Sequence, residues 1–528
     1  MLRNQPAQTT LWAAGELPEP TRGHPTEAAY WRGSVASRAQ TRAEQRQLGQ
    51  FMTPPPIARY IARGMVRTLR RERELLGATL RVLDPAAGSG VLAAALMESL
   101  VAMPTRPARI ELLLCEIDPA MQPLLQQCAA ELADWCGHQG VQVATQIFVG
   151  DFLLSPLARS ITTEVDAVIA NPPYFKIARH DPRALAHAEG VHGQPNIYAL
   201  FMSSCAAILR PGGAFGFITP RSWTNGEYFR ATRRVLRRCL AVDALHLFDS
   251  REAHFEDDAV LQEALITWAA AGRTQEQVLV SSSHGVRDLE TTQSARCAAA
   301  DVLGAFADAP IVLPQSAQGM RNLERWPLRL ADLEMKAVTG PVVGFRARTH
   351  LRSAANLSTV PMLWMPHVQR SRIEWPRGHR SEHIERSLPM EWMLLANEPL
   401  VVLRRFSPKE DQRRVTAAAY VGQLPGELIG LENHLNVIRG ATRPLSGEVA
   451  QGLAAWLNSE IVDVHLRQRL GSTQVNAVEL RSLPVPDLSV LGSLGRALGQ
   501  HPTLEAIDRH VEALWLAGAD ANASARAA

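Results

Sequence analysis

The chain has 528 residues, a formal net charge of +3, 46% hydrophobic residues and 20% charged residues, which are ordinary values for a folded protein of about two to four domains. Its six cysteines form no CxxC pair, so neither a zinc ribbon nor a disulfide framework is expected, and free thiols suit a reducing cytoplasm. The sequence contains no apolar run of about 18 residues and no secretory signal, so we expect a cytoplasmic protein without a membrane span.

The first part of the chain predicts an arm followed by a helix. Residues 1–45 are polar and have no sustained period, so they are expected to form a loose N-terminal arm, with one helical pattern near residues 36–48. After Thr53 and three prolines, apolar residues recur at helical spacing from Ile57 to Leu69. Thr53 is therefore placed at the start of a helix.

Residues 46–275 are expected to form one α/β domain. Seven short apolar runs predict strands, at 80–84, 110–116, 146–149, 166–171, 214–219, 241–248 and 261–268. Amphipathic stretches predict helices between most of them, at 91–102, 119–135, 196–209 and 226–239. This alternation is typical of a doubly wound, Rossmann-like sheet with helices on both faces. Because no helical pattern separates the last two strands, we predict that they form an antiparallel hairpin at the sheet edge.

The rest of the chain is less regular. Residues 276–334 are interpreted as a linker, 335–517 as a mixed α+β domain with helices near 446–468 and 489–517, and 518–528 as a disordered tail. Residues 341–420 contain 13 Lys or Arg against 7 Asp or Glu, so their net charge is +6 and that of the remaining residues is −3. Such a basic block favours nucleic-acid binding. The alternative is an Arg-rich composition without a binding role, since the chain has only three lysines.

Three motifs at the ends of predicted strands indicate a nucleoside site. Gly88 and Gly90 in the segment DPAAGSG (84–90) would let the backbone approach a ligand at a helix N-terminus, although a simple tight turn is the alternative. Glu116 closes the next strand, where a carboxylate can accept hydrogen bonds from both ribose hydroxyls. Asp118 competes for that role or only caps a helix. In the third motif, GDF, the carboxylate of Asp151 could accept a bond from an adenine amino group while Phe152 packs on the ring.

The fourth motif, Asn171-Pro172-Pro173-Tyr174, follows the predicted strand DAVIA directly. The two prolines restrict the backbone and remove N–H donors. They leave the Asn171 side chain and the Pro172 carbonyl as neighbouring acceptors, which can bind both hydrogens of one amino group. The flat ring of Tyr174 can stack on a base, an interaction worth about 1–3 kcal/mol. An ordinary Pro-Pro loop is the alternative.

In their order along the chain, these motifs resemble those of the TaqI-like (gamma-class) N6-adenine DNA methyltransferases: GQFMTPPPIA, LDPAAGSG, LCEIDP, GDF, NPPY, QPNIYALF and LRPGGAFGFITP, within residues 49–270. By this resemblance, S-adenosylmethionine contacts Phe51, Thr53, Asp84, Ala86, Gly88, Gly90, Glu116, Asp151 and Phe152. The target adenine contacts Asn171, Pro172, Pro173 and Tyr174. An aromatic residue before the last strand is expected to stack on the other face of the flipped base. Phe255 is the best candidate, ahead of His254, and a core role is the alternative.

The C-terminal half resembles the recognition region of type II restriction–modification methylases. Residues expected to contact double-stranded DNA are Arg404, Arg405, Arg413, Arg414, Gln474 and Asn476, for which a solvated face or a turn is the alternative. The resemblance implies a monomeric modification enzyme with a separately acting cognate endonuclease and no metal. Three other functions stay open, namely N4-cytosine methylation, methylation of protein glutamine or RNA guanine, and DNA binding without catalysis. A C5-cytosine enzyme is not expected, because the chain has no Pro-Cys pair.

Overall fold

The computed structural model describes residues 24–38, 52–72, 74–159, 164–248, 264–304, 306–313, 323, 326–378, 381–387, 391–407, 411–469 and 474–527. The chain divides into two compact units, Met1–Ala317 and Gln318–Ala528. Among the described helices, none is both long and apolar enough to cross a bilayer.

The first unit contains a nine-stranded sheet with the order β3-β2-β1-β4-β5-β7-β6-β8-β9. The first five strands in this order are parallel to one another, and β7 is antiparallel to both β5 and β6. The strands are β1 (Thr79–Asp84), β2 (Arg109–Glu116), β3 (Gln142–Val149), β4 (Val165–Ala170), β5 (Leu209–Pro220), β6 (Leu240–Phe248), β7 (Ala264–Ala271), β8 (Gln277–Ser283) and β9 (Gln293–Ala298). Every residue of β4 and β7 is buried, as expected for central strands covered on both faces. All seven predicted strands are confirmed.

Helices cover both faces of this sheet. They are α1 (Pro25–Arg38), α2 (Pro55–Glu72), α3 (Val91–Val101), α4 (Gln122–His138), α5 (Pro156–Arg159), α6 (Pro182–Ala186), α7 (Ile197–Ala207), α8 (Arg230–Cys239) and α9 (Ala299–Leu303). Alternate residues of the strands, such as Val82 and Ile169, pack together with the four helices α1, α2, α3 and α4 in one large apolar core. Helix α7 packs against β5. The α/β class and the four predicted helices between strands are confirmed.

The segment expected to be a loose arm contains helix α1, which packs on α3 and α4. The hydroxyl of Ser89 donates to the Ala29 carbonyl at 2.8 Å, and the Thr26 N–H donates to Glu98 at 2.9 Å. Helix α1 can approach its surroundings closely because it has small residues on this side. A Cβ added to Gly33 would lie only 2.2 Å from Met52 Cε. Small residues make no apolar stripe, so a hydrophobic period could not reveal this helix. Most of the helical pattern near 36–48 lies outside the described residues.

The predicted hairpin exists, but its edge position is wrong. Strand β7 lies between β5 and β6, and β8 and β9 extend the sheet further. These two strands lie within the predicted linker at 276–334. Strand β8 escaped prediction because polar residues point inward, where Ser281 and Ser283 lie 2.9 Å and 3.0 Å from the ring nitrogens of the fully buried His246.

The second unit combines three small sheets with a helical layer. The sheet orders are β10-β20-β17-β18, β11-β15-β12-β19-β16 and β13-β14. The strands are β10 (Met335–Thr339), β11 (Leu351–Arg352), β12 (Thr359–Leu363), β13 (Val368–Gln369), β14 (Arg372–Ile373), β15 (His383–Glu385), β16 (Leu394–Ala396), β17 (Leu400–Arg404), β18 (Ala417–Tyr420), β19 (Leu428–Leu431) and β20 (Leu435–Gly440). The helices are α10 (Gly447–Asn458), α11 (Glu460–Arg469), α12 (Ala477–Ser482), α13 (Leu488–Leu498) and α14 (Leu504–Ala527).

Both predicted helical regions of this unit are helical, each as two helices. The backbone of α14 is helical through Ala527, and so covers most of the segment 518–528 that was expected to be a disordered tail. The tail is rich in Ala, the residue with the highest helix propensity.

Candidate functional site

Four predicted motifs meet at one edge of the nine-stranded sheet. Asp84, Glu116, Asp151 and Asn171 lie at or just after the carboxyl ends of β1, β2, β3 and β4, which are neighbours in the order β3-β2-β1-β4. Parallel strands end at the same edge, and ligands of open α/β sheets bind there. The structure thus brings together motifs that are up to 87 residues apart in the sequence.

The loop 84–90 connects β1 to the N-terminus of α3. Gly88 and Gly90 have positive φ angles of 53° and 91°, a region that favours glycine. The Gly88 N–H donates to Glu116 Oε2 at 2.8 Å, which ties the loop to the end of β2. A Cβ on Gly88 would project into open space, whereas one on Gly90 would meet Cys128 Sγ at 2.6 Å. Gly88 therefore borders free space in which a ligand can lie.

This difference predicts a matched pair of stability effects. We expect Gly90→Ala to lower the free energy of unfolding by about 2 kcal/mol or more, because it adds an overpacked contact to left-handed strain. Gly88→Ala should cost only the backbone strain of about 1–2 kcal/mol. Urea denaturation of both variants measures the difference. Equal losses of stability would contradict the packing of Gly90 on Cys128.

Asp84 is fully buried, and only one of its carboxylate oxygens has a partner. Its Oδ1 accepts from the Ala86 N–H at 3.2 Å, whereas its Oδ2 has no hydrogen-bond partner among the described residues. Burial, with a smaller contribution from the nearby Glu116 charge, raises the pKa of Asp84 to about 8. The side chain is therefore suited to a ligand that brings positive charge.

Glu116 accepts backbone hydrogen bonds with both oxygens. Oε1 accepts from the Asp118 N–H at 2.9 Å, and Oε2 accepts from Gly88. Burial raises the pKa of Glu116, and these hydrogen bonds oppose the rise. A carboxylate has further lone pairs, so Glu116 can still accept from ligand hydroxyls. Asp118 caps a short 3₁₀ helix through Ala120 N–H, which confirms the alternative interpretation for that residue.

The Asp151 carboxylate lies at the end of β3, next to an arginine. Its Oδ1 accepts from the Leu153 N–H at 2.9 Å, and its Oδ2 lies 3.8 Å from Arg183 Nη1. Phe152 is only 2% exposed and packs against Phe201, with ring centroids 5.4 Å apart. Phe152 thus lies in the core behind the edge, and its contact with an adenine ring stays a prediction.

The Asn171 side chain is hydrogen-bonded at both ends of its amide. Nδ2 donates to Thr53 Oγ1 at 3.0 Å, and Oδ1 accepts from the Tyr174 hydroxyl at 2.5 Å. The Tyr174 hydroxyl is also 3.0 Å from the Ile218 carbonyl at the end of β5. Burial raises the pKa of Tyr174, and Tyr198 adds to the rise, so the hydroxyl stays protonated. The Tyr174 and Tyr198 rings are nearly perpendicular, with their centroids 6.0 Å apart.

The sequence did not reveal two members of this network. A main-chain acceptor such as the Ile218 carbonyl has no side-chain signature. Tyr198 lies in the motif QPNIYALF, but its pairing with Ser222, 2.8 Å from its hydroxyl, required the fold. Pro172 is buried and Pro173 is partly buried. Three residues named from the sequence, Phe51, His254 and Phe255, lie outside the described residues.

Three of the six predicted DNA-contacting residues come together in the second unit. The Arg405 guanidinium donates to Gln474 Oε1 at 3.3 Å and to Asn476 Oδ1 at 3.2 Å. It also donates to the Asn433 carbonyl at 3.4 Å and lies 6.0 Å from the Phe406 ring centroid. Residues 405, 474 and 476 are therefore one polar cluster, although Arg405 is about 70 residues from the other two in the sequence.

The other three arginines have intramolecular roles. Arg404 donates to the Val368 carbonyl at 2.7 Å, and Arg413 pairs with Asp508 at 2.6 Å. Arg414 is 1% exposed and donates to the Ser407 carbonyl at 2.6 Å. Because its guanidinium is buried and bonded to a carbonyl of its own unit, Arg414 is poorly placed for the predicted phosphate contact. Burial lowers the pKa of Arg404.

Among the described residues, one group of three side chains could ligate a metal ion, although the sequence predicted no metal site. His24, Glu27 and Glu98 have ligand atoms within 4.8 Å of one another. Arg59 donates to Glu98 at 3.1 Å and is ion-paired with Glu27. The positive charge that these carboxylates attract is thus already supplied by Arg59.

A doubly wound sheet with an acidic edge and an Asn-Pro-Pro-Tyr turn is the arrangement expected of a methyltransferase. Residues 144–254 match the family described as Eco57I restriction-modification methylase. The chain is 33% identical to the type II methyltransferase M.BsuBI of Bacillus subtilis over 466 residues, which cover 85% of this chain and 90% of that protein. It is 30% identical to M.PstI of Providencia stuartii over 456 residues, which cover 83% and 87%. The chain therefore belongs to the type II DNA methyltransferases of restriction–modification systems, as the sequence motifs predicted.

A solved structure shares the fold. The type IIL restriction–modification enzyme MmeI, solved in complex with DNA, superposes with a TM-score of 0.50 at 11% identity, covering 86% of this chain and 70% of MmeI.

Proposed function

We propose that the chain transfers a methyl group from S-adenosylmethionine to N6 of an adenine that it extrudes from double-stranded DNA. The observation that supports this most is the Asn171 amide at the end of β4, hydrogen-bonded to Thr53 and Tyr174 beside the Asp84 and Glu116 edge. An acceptor for an amino group thus lies next to side chains that suit a cationic nucleoside.

The residues of the edge fit S-adenosylmethionine. The unpaired, buried Asp84 Oδ2 suits an ammonium group, and Glu116 retains lone pairs for the ribose hydroxyls. Asp151 could accept from the adenine amino group, and Gly88 borders open space. When bound, the cofactor supplies a methyl group on a sulfonium, which is already a strong electrophile. The residues of the chain then need to align the target more than to activate it.

The Asn-Pro-Pro-Tyr turn is suited to that alignment. Asn171 Oδ1 and the Pro172 carbonyl can accept the two hydrogens of one amino group, and they can stabilise the positive charge that develops on its nitrogen. The amino nitrogen of a paired adenine lies inside the duplex, so the base must leave the stack at a cost of a few kcal/mol. Stacking on Tyr174 would offset part of that cost. Phe255 remains our candidate for the opposite face of the base.

N4-cytosine methylation is the nearest alternative, since cytosine also presents an exocyclic amine. Asn at the first position of the tetrad is the residue that the resembling adenine enzymes use, whereas Ser is associated with cytosine N4. Methylation of protein or RNA is less compatible with membership of a restriction–modification family.

The second unit is proposed to recognise the DNA sequence, with contacts from Arg405, Gln474 and Asn476. Arg404 and Arg413 remain weaker candidates because their guanidinium groups are paired within the unit. We further propose a monomeric modification enzyme whose cognate endonuclease is a separate protein.

A labelling experiment tests this function. The full chain is incubated with tritiated S-adenosylmethionine and plasmid DNA, RNA or a protein extract. We expect label in DNA alone, and N6-methyladenosine as the labelled product after digestion to nucleosides. Label in N4-methylcytosine would favour the alternative, and label only in RNA or protein would contradict the proposal. Long-read sequencing of the methylated plasmid then locates the target adenine.

The raised pKa of Asp84 predicts pH-dependent cofactor binding. In the free protein the carboxyl group is neutral well below pH 8, and a bound ammonium group would favour its ionised form. Binding therefore releases a proton, and affinity for S-adenosylhomocysteine should rise with pH between about 6 and 8, by up to about tenfold per unit. Calorimetry in two buffers of different ionisation enthalpy measures the release. Asp84→Asn should bind more weakly and with a flatter pH profile, and an unchanged profile would exclude Asp84 as the titrating group.

A further inference from the structure

The Asn171 amide lies between two hydroxyl groups that can each donate or accept. Thr53 Oγ1 is 3.0 Å from Asn171 Nδ2, and the Tyr174 hydroxyl is 2.5 Å from Asn171 Oδ1. The Ile218 carbonyl, 3.0 Å from the Tyr174 hydroxyl, can only accept. With these three groups the hydrogen bonds can be arranged in two ways, which differ by a half-turn of the amide.

In the observed arrangement, Asn171 Nδ2 donates to Thr53, and Oδ1 faces Tyr174. When a target amine approaches Oδ1, the Tyr174 proton can turn to the Ile218 carbonyl at 3.0 Å, which frees Oδ1 to accept. In the reversed arrangement, Thr53 donates to Oδ1, Nδ2 donates to the Tyr174 oxygen, and Tyr174 donates to Ile218. Nδ2 would then meet an incoming amine as donor against donor, which cannot form a hydrogen bond.

The proton of the Thr53 hydroxyl distinguishes the two arrangements. In the reversed one it is used by Asn171, whereas in the observed one it has no acceptor among the described residues. Thr53 is 4% exposed, so an unused hydroxyl proton there is costly. A ligand oxygen that accepts this proton would remove the cost and so stabilise the arrangement that binds an amine.

The strand order indicates which end of the cofactor could provide this oxygen. Glu116 and Asp151 follow β2 and β3, and they suit the nucleoside. Asp84 follows β1, where its unpaired oxygen suits the ammonium group of the amino-acid end. Because β1 is paired with β4, an amino-acid end held at Asp84 would be directed toward the strand that leads into Asn171. The carboxylate of that end is a strong acceptor.

We propose that Thr53 is a positioning residue that couples the two sites: by donating to the cofactor carboxylate, it orients the Asn171 amide to accept the target amine. This inference depends on the proposed function. Its consequence is reciprocal, since a ligand that orients Asn171 increases affinity for an extruded adenine and the adenine increases affinity for the ligand.

The test compares binding of two duplexes that contain the mapped target site. One has adenine at the target position, and the other has purine, which lacks the amino group. Their Kd values are measured by fluorescence anisotropy without ligand, with S-adenosylhomocysteine, and with 5′-methylthioadenosine, which has the nucleoside but no carboxylate. For the unmodified protein, S-adenosylhomocysteine should increase the preference for adenine over purine by about fivefold or more, and 5′-methylthioadenosine should not.

Two substitutions of Thr53 complete the test. Thr53→Val keeps the shape but removes the hydroxyl, so the ligand-dependent gain in preference should disappear. Thr53→Ser keeps the hydroxyl and should keep the gain. A Thr53→Val protein that retains the full gain, or an equal gain with 5′-methylthioadenosine, would overturn the coupling while leaving the proposed function intact. Failure of the unmodified protein to bind S-adenosylhomocysteine would instead contradict the proposed function and the coupling with it.

Discussion

Replacing Asn171 with alanine should lower the rate of methyl transfer by about 10²–10³-fold or more. The variant loses the Oδ1 acceptor that is proposed to align the target amine and to stabilise its developing charge, while the Asp84 and Glu116 edge remains. Affinity for S-adenosylhomocysteine should therefore change little, and DNA binding should survive. Single-turnover rates with excess enzyme measure the chemical step apart from binding.

Asn225→Ala is a suitable control for this experiment. Asn225 lies in the loop after β5, is partly exposed and has no proposed role in the reaction. We expect this variant to methylate DNA at nearly the unmodified rate. Retained turnover by Asn171→Ala would exclude Asn171 from catalysis, and loss of cofactor binding would show that the substitution acted through the fold.

Removing the Tyr174 ring should have the second largest effect. Tyr174→Ala loses the surface on which the base is proposed to stack, worth about 1–3 kcal/mol, so kcat/KM should fall by about 5–150-fold. The effect should be concentrated in the extrusion step, because the ring contributes only after the base has left the duplex. A duplex with 2-aminopurine at the target position reports extrusion as an increase in fluorescence, and this increase should be smaller in the variant.

Tyr174→Phe separates the ring from its hydroxyl. It removes the hydrogen bonds to Asn171 and Ile218 but keeps the stacking face, so we expect a loss of only about 1 kcal/mol, or several-fold in rate. Equal losses in the two variants would show that the hydroxyl and not the ring is the important part of Tyr174.

The motifs of the site could be predicted because parallel strands end at one edge. A residue that closes β1, β2, β3 or β4 must lie there, so the positions of Asp84, Glu116, Asp151 and Asn171 followed from the strand pattern alone. The link between Thr53 and Asn171 could not be predicted in the same way. It joins residues 118 positions apart and depends on how α2 begins against β4.

The errors have physical causes of the same kind. Helix α1 contacts its neighbours through Ala29 and Gly33 instead of an apolar stripe, and β8 buries serines against His246. Neither feature produces a hydrophobic period. Arg414 belongs to a charge-rich sequence that suggested a DNA surface, yet its guanidinium satisfies a buried carbonyl. Local charge therefore could not distinguish a surface arginine from a buried one.

The most direct measurement is a crystal structure of the full chain with its target duplex and sinefungin, an unreactive analogue of the proposed cofactor. We expect an adenine outside the duplex, stacked on Tyr174, with its N6 within hydrogen-bonding distance of Asn171 Oδ1 and the Pro172 carbonyl. A target base that remains stacked in the helix, or an extruded base bound away from this turn, would contradict this expectation.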